Sequence, residues 1–156
     1  MRLEDIKELY DLYAKDIYKF IISLTLNHEA AEDIMQNTFV SAMKNISTFK
    51  GYSSVKTWLM GIAKNEYYTY LRKNPKNIQL DDTYEIEYID ENKEAYISTV
   101  EVINKLKEPQ KQILILRLIN EMSFKEIGII VGKSENYCRV NFFREKQKLW
   151  EVLEYE

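Results

Sequence analysis

Ser123-Phe-Lys-Glu-Ile-Gly-Ile-Ile-Val-Gly132-Lys-Ser134-Glu-Asn-Tyr-Cys138-Arg-Val-Asn-Phe-Phe-Arg144 reads as two helices meeting at a glycine. Ser123 and Glu126 have capping-box spacing, in which the serine hydroxyl and the glutamate each satisfy a backbone N–H left open at a helix start. The apolar residues Ile127 and Ile130 carry a very short helix to Gly132, which permits a tight turn, and Ser134 caps a longer helix running to about Leu153. Short helix, glycine turn and longer helix form the helix-turn-helix pattern, whose second helix enters a DNA major groove. Cys138, Phe142, Leu149 and Leu153 fall on one face of it, and Tyr137, Asn141, Arg144 and Lys148 on another. Between Lys133 and Lys148 five residues are basic and two acidic, enough local charge to reach phosphates. A solvated face on an ordinary terminal helix would carry similar residues; the glycine turn and the capping serines favour DNA.

The same block begins further upstream. Ser98 and Glu101 repeat the capping-box spacing, so a helix is expected to start at Ser98. Pro109 suits the first position of the next helix, which carries Ile113, Leu116 and Ile119.

Nearer the amino terminus, Ile6, Tyr10, Tyr13, Ile17, Phe20 and Leu24 recur every three or four residues and predict a long first helix. A second follows Asn27, with Ala31, Ile34, Met35, Phe39 and Ala42 buried, and fades between Ile46 and Gly51. A third is expected to start from Ser53 as N-cap and to carry Val55, Leu59, Ile62 and Leu71 inward until Lys73-Asn74-Pro75 stops it. Only four glycines and two prolines occur in 156 residues, too few for the frequent turns of a sandwich or barrel. The fold class is therefore all-α: an N-terminal helical bundle (residues 1–74) and a C-terminal helix-turn-helix bundle (98–156), joined by an acidic linker (75–97). The net charge of −3 is concentrated in that linker, where residues 74–97 hold two basic and seven acidic side chains; each flanking block has ten basic and nine acidic.

Enzyme chemistry lacks its parts. One cysteine and one histidine supply neither a zinc site nor a nucleophile with its base, and no glycine-rich phosphate loop is present, so the sequence predicts no catalytic residue, metal, cofactor or small-molecule substrate. Cys138 is expected to be a small core residue and His28 a helix-start residue. No leader-like or membrane-spanning run is found, which predicts a cytoplasmic protein with no direct membrane insertion. From Lys50 to Lys73, five basic residues and one acid are interleaved with Tyr52, Trp58, Tyr67, Tyr68 and Tyr70, and aromatic faces between cations suit unstacked single-stranded bases. Aromatics at helical spacing also build cores, and Trp58 is expected to be partly structural.

His28-Glu-Ala-Ala-Glu-Asp-Ile-Met-Gln-Asn-Thr-Phe-Val-Ser-Ala-Met-Lys-Asn45, Phe49-Lys-Gly-Tyr-Ser-Ser-Val-Lys-Thr-Trp-Leu-Met-Gly-Ile-Ala-Lys-Asn65 and Tyr70-Leu-Arg-Lys73 together resemble domain two of the extracytoplasmic-function RNA polymerase sigma factors. Leu106-Lys-Glu-Pro-Gln-Lys-Gln-Ile-Leu-Ile-Leu-Arg117, Met122-Ser-Phe-Lys-Glu-Ile-Gly128 and Gly132-Lys-Ser134 resemble their domain four. The resemblance implies a sigma factor for promoter-specific initiation, serving a stress or envelope-signal regulon. Its partners would be core RNA polymerase (the clamp helices of the largest subunit and the flap), promoter DNA and an anti-sigma factor. By position, the resemblance assigns polymerase binding to Asp33, Gln36, Asn37, Phe39 and Val40. Recognition and melting of the minus-ten element fall to Lys50, Tyr52, Ser53, Ser54, Lys56, Thr57, Trp58, Asn65 and Arg72. The minus-thirty-five element falls to Lys133, Asn136, Tyr137, Arg139, Val140, Asn141, Phe143, Arg144 and Lys148. Asn37 stands where the family usually has an acid. Asn141 and Phe143 also depart from the usual pattern; Asn141 has the chemistry to read adenine through a bidentate pair, which would alter base preference. A duplex-binding repressor is the second reading, and the first block, which looks like a docking and melting module, speaks against it.

Overall fold

A computed structural model describes residues 3–75 and 93–154, which belong to two compact units divided in the segment between them. All seven α-helices of the described residues lie within one unit or the other, and no strand occurs among those residues.

In the first unit, α1 (Leu3–Thr25), α2 (His28–Asn45) and α3 (Val55–Lys73) pack against one another, with a short 3₁₀ turn at Ile46–Thr48. The C-terminal half of α1 is the centre of this bundle: Ile17, Tyr18, Phe20, Ile21, Ile22 and Leu24 are all buried. A helix buried on every side needs apolar residues at nearly every position, and this stretch has them. Tyr10, expected inward, is half-exposed, although its ring lies 4.9 Å from that of Phe39. Asn27 caps α2, its side chain accepting from the Ala30 N–H at 2.8 Å. The cap of α3 is Ser54, one residue later than expected. The buried face of α3 is also rotated from the expected one: Leu59, Met60, Ala63 and Tyr67 are buried, while Val55, Ile62 and Leu71 sit at its margins.

The second unit comprises α4 (Lys93–Ile103), α5 (Gln110–Leu118), α6 (Phe124–Val131) and α7 (Glu135–Glu154). Helix α4 begins at Lys93, so Ser98 lies inside it, exposed, and caps nothing. Tyr96, Val100 and Ile103 form a buried stripe that draws the helix back past the serine, so packing outweighs the local capping preference here. Helix α4 thus includes residues 93–97, which the sequence reading assigned to the linker. Residues 76–92, with six of its seven acids, lie outside the described residues. Pro109 is the N-cap of α5 rather than its first helical residue. The Ser123–Glu126 capping box forms in both directions, and Gly132 adopts φ 74°, the left-handed conformation that glycine enters without strain.

Candidate nucleic-acid interface

On α2, Asp33, Gln36, Asn37 and Val40 are exposed, and Gln36 and Asn37 each stand three or four residues from both Asp33 and Val40, which places the four along a single face. Phe39 does not join them, since it is buried beneath the face and its ring contacts Tyr10. The phenol of Tyr70, on α3, is pushed above its ordinary pKa by burial and then by the negative charges of Asp33 and Glu29, so α3 contributes a tyrosine beside this acidic surface.

The loop entering α3 makes a small open cavity of about 180 Å³, lined by Thr48, Phe49, Lys50, Tyr52, Ser53 and Trp58. That is below the roughly 300–1,000 Å³ that takes a whole ligand, and suits a single ring. Phe49 and Trp58 pack with ring centroids 5.0 Å apart, and Tyr52 is 90% exposed. The positive φ of Gly51, 77°, lets the loop turn at its rim. Four of the sequence-assigned residues thus meet at one place: Lys50, Tyr52, Ser53 and Trp58. Ser54 and Thr57 are occupied with the helix start, where the serine hydroxyl bonds the Thr57 hydroxyl at 2.9 Å and accepts from its N–H at 3.1 Å; Thr57 is buried. Lys56 turns toward α1 and pairs with Asp16 at 3.4 Å. Asn65 and Arg72 are exposed further along α3, roughly 10 and 21 Å of helix axis beyond Trp58. Arg72 bonds the Thr69 hydroxyl at 3.0 Å. Thr48 and Phe49 were not among the residues assigned from sequence; the 3₁₀ turn that brings them to the cavity has no strong signature.

In the second unit, the turn between α6 and α7 is closed by the Gly128 carbonyl, which accepts from the Gly132 and Lys133 N–H groups at 2.9 and 3.0 Å. Ser134 caps α7, accepting from the Tyr137 N–H at 3.0 Å. Along α7, Lys133 from the turn and Asn136, Arg139, Val140, Phe143, Arg144 and Lys148 are exposed. Arg139 pairs with Glu135 at 3.1 Å and lies over the Phe124 ring, and Lys148 pairs with Glu145 at 3.5 Å. Lys133 lies over the ring of half-buried Tyr137 at 5.2 Å.

Asn141 corrects the sequence reading. It is 7% exposed, its Oδ1 accepts from Gln110 of α5 at 3.2 Å, and its Nδ2 donates to the Tyr137 carbonyl at 2.9 Å. Both ends of the amide are engaged inside the protein, so Asn141 ties α7 to α5 instead of standing on the exposed face with Arg139 and Arg144. Cys138 is buried as expected, and burial raises its thiol pKa.

Residues 9–76 match the family model for Sigma-70 region 2, and residues 98–149 match that for Sigma-70, region 4. These are the bundle of α1–α3 and the unit that ends in α7. The chain is 29% identical over 151 residues to an extracytoplasmic-function sigma factor, SigM of Bacillus subtilis, covering 92% of each chain. It is also 29% identical to the sigma factor YlaC of the same organism, covering 94% of this chain and 90% of that one. The chain belongs to the extracytoplasmic-function sigma factors. Among solved structures, this sigma factor matches RpoE of Bartonella quintana, solved in complex with the anti-sigma factor NepR, with a TM-score of 0.76, 27% identity and coverage of 97% and 98%. CnrH, solved with the cytosolic domain of CnrY, matches with the same TM-score at 18% identity, a likeness of fold. The sigma factor thus binds RNA polymerase and promoter DNA and directs promoter-specific initiation; such proteins are regulatory rather than enzymatic. No helix among the described residues is long and apolar enough to cross a membrane.

Proposed function

We propose that the exposed α2 face of Asp33, Gln36, Asn37 and Val40 docks on the clamp helices of the largest polymerase subunit, with Phe39 holding that face from below. The cavity of Phe49, Lys50, Tyr52, Ser53 and Trp58 takes a base of the minus-ten element once it leaves the stack. Extrusion costs a few kcal/mol, which ring contacts and loop hydrogen bonds return. Lys133, Asn136, Arg139, Val140, Phe143, Arg144 and Lys148 meet the minus-thirty-five duplex, Arg139 and Arg144 supplying phosphate or guanine contacts. Asn65 and Arg72 lie further from the cavity and suit the backbone beside the melted base. Nucleotide chemistry stays with the polymerase, the sigma factor acts in the cytoplasm with the flap as a second docking point, and it serves a stress or envelope-signal regulon. Because RpoE of Bartonella quintana is solved in complex with the anti-sigma factor NepR, an anti-sigma factor is proposed as a further partner.

The observation that carries this reading is the presence in one chain of an open aromatic cavity beside Lys50 and a separately folded helix-turn-helix with exposed cations. Run-off transcription from a pool of randomised promoters, with core polymerase, tests it. The expected result is enrichment of a two-part motif only when both proteins are present. Tyr52→Ala should reduce opening of a linear promoter but not of a template mismatched at minus ten, whereas Arg144→Ala should reduce use of both. Duplex recognition by the protein alone, with no effect of polymerase, would refute the assignment.

A further inference from the structure

Three of the four glycines are accounted for by the fold: Gly51 and Gly132 have positive φ, and a Cβ at Gly128 would strike the Lys133 carbonyl. Gly61 is not. It lies in the interior of α3, and a Cβ there would meet no atom of the described residues within 4 Å beyond its own stretch of helix. Glycine is among the worst residues for a helix interior, so alanine would suit the fold better. A glycine that the fold does not call for implies a close approach from outside the protein. Its surroundings say of what. Trp58, Gly61, Asn65, Tyr68 and Arg72 follow one another at steps of three, four, three and four, one stripe on the side of α3 opposite buried Leu59, Met60, Ala63 and Tyr67. The stripe begins at the ring-sized cavity, of which Trp58 is a wall, and ends in the basic last turn. Gly61 is its one member without a side chain, and it leaves roughly 10 Å of helix axis bare between Trp58 and Asn65. Lys64 stands beside it, three residues on; burial lowers its pKa, so its ammonium has already lost part of its water and meets a phosphate at a smaller desolvation cost.

We propose that Gly61 is the floor of a backbone subsite for the melted minus-ten strand: the sugar-phosphate unit next to the flipped base lies directly on the α3 main chain between Trp58 and Asn65, where a side chain would hold it off. Asn65 and Lys64 flank that unit, the amide bonding a phosphate or sugar oxygen and the ammonium supplying charge, and the strand continues towards Arg72. Gly61 offers no ring to stack on and no polar side chain, so the bare stretch selects for close contact with the sugar-phosphate and not for a particular base. The subsite therefore fixes where the strand lies, while the cavity beside it holds the base. It rests on the minus-ten reading of that cavity and adds a positioning contact to it.

Gly61→Ala and Gly61→Leu in the full-length protein test the subsite with two readouts that should move in opposite directions. Peptide-resolved hydrogen exchange should show protection across α1–α3 equal to or above wild type, because both residues are better helix formers than glycine. Binding of the variant, assembled with core polymerase, to a fluorescein-labelled forked duplex with a single-stranded tail of randomised sequence should weaken about fivefold with alanine and further with leucine, as loss of one close contact does. The alanine penalty should persist on a tail of abasic units, which keep the sugar-phosphate and lack the bases, whereas a Tyr52→Ala penalty should vanish there. Wild-type affinity of both variants, lower protection in α1–α3, core polymerase binding that weakens in step with the DNA loss, or disappearance of the Gly61→Ala penalty on the abasic tail would each overturn the subsite. A Tyr52→Ala protein that binds the randomised tail as tightly as wild type would instead remove the cavity reading, and a Gly61→Ala penalty kept on the abasic tail would then leave the backbone contact standing.

Discussion

Replacing Gly128 with valine should weaken the C-terminal unit without touching a residue proposed to meet DNA. A Cβ at this position would lie 2.6 Å from the Lys133 carbonyl oxygen and 3.4 Å from the Glu135 N–H nitrogen, both main-chain atoms of the turn into α7. Gly128→Ala gains about 1 kcal/mol of helix propensity, set against roughly 1–3 kcal/mol for overpacking, so it should fall within about 2 kcal/mol of wild type. Gly128→Val gains less propensity and adds two methyl groups to the same space. It also strains the Gly132 and Lys133 bonds to the Gly128 carbonyl and the Ser134 cap, a cap being typically ~1 kcal/mol. A net loss of ~2–4 kcal/mol follows, from a unit whose stability at about 0.05–0.15 kcal/mol per residue is roughly 3–9 kcal/mol. Peptide-resolved hydrogen exchange of the full-length protein reads the two units separately. Protection should fall across α5–α7 and stay constant across α1–α3, and promoter-directed transcription should fall as the temperature is raised well before it does with the wild type. Valine protection equal to wild type would refute the close approach of α6 to the turn.

Three further outcomes follow from the same unit. Asn141→Ala should cost about 0.5–1.5 kcal/mol by removing the Gln110 bond between α5 and α7, while the base preference selected from randomised minus-thirty-five sequences stays unchanged; a shift to a new base there would restore Asn141 as a reader. Burial lowers the pKa of Lys111 from 10.5, the Glu108 carboxylate partly opposing it, so the folded state holds fewer protons than the unfolded between the lowered value and 10.5. The Lys111 contribution to stability should therefore rise as pH climbs through that window, and urea midpoints of Lys111→Met should climb less steeply; identical slopes would contradict it. Because burial raises the Cys138 thiol pKa, alkylation of the native protein should be slow and should accelerate on denaturation, whereas equal rates would mean an exposed sulfur.

What could be read from the sequence was set by the range of the interaction. Asn27, Ser123 with Glu126, Gly132 and Ser134 act within three or four residues of themselves, and each performs the predicted local task. Ser98 carries the same signature and fails, because the Tyr96–Val100–Ile103 stripe extends the helix through it. The buried face of α3 was misjudged because apolar residues lie on both sides of the Leu59–Ala63 stripe, and only contact with α1 and α2 chooses between them. Asn141 was unreadable for the same reason: its partner, Gln110, is 31 residues away. Within the cavity, Lys50, Tyr52 and Trp58 stood out by cationic and aromatic composition and Ser53 was assigned through the family resemblance, while Thr48 and Phe49 depended on the 3₁₀ turn that delivers them.

Phe39 divides α2 into two kinds of position that face different selective demands. Its ring is locked against Tyr10, so truncation there should carry the ~3–5 kcal/mol cost of emptying a core site. Its exposed neighbours Asp33, Gln36, Asn37 and Val40 have no comparable packing duty, and surface changes usually stay within about 0.5 kcal/mol. If this face docks on polymerase as proposed above, a lineage could therefore rewrite its charge one residue at a time, as an asparagine at 37 would record, and retune its grip on a shared polymerase without loss of stability. Competition among sigma factors for one enzyme could be adjusted in this way, on a surface the fold leaves free to drift.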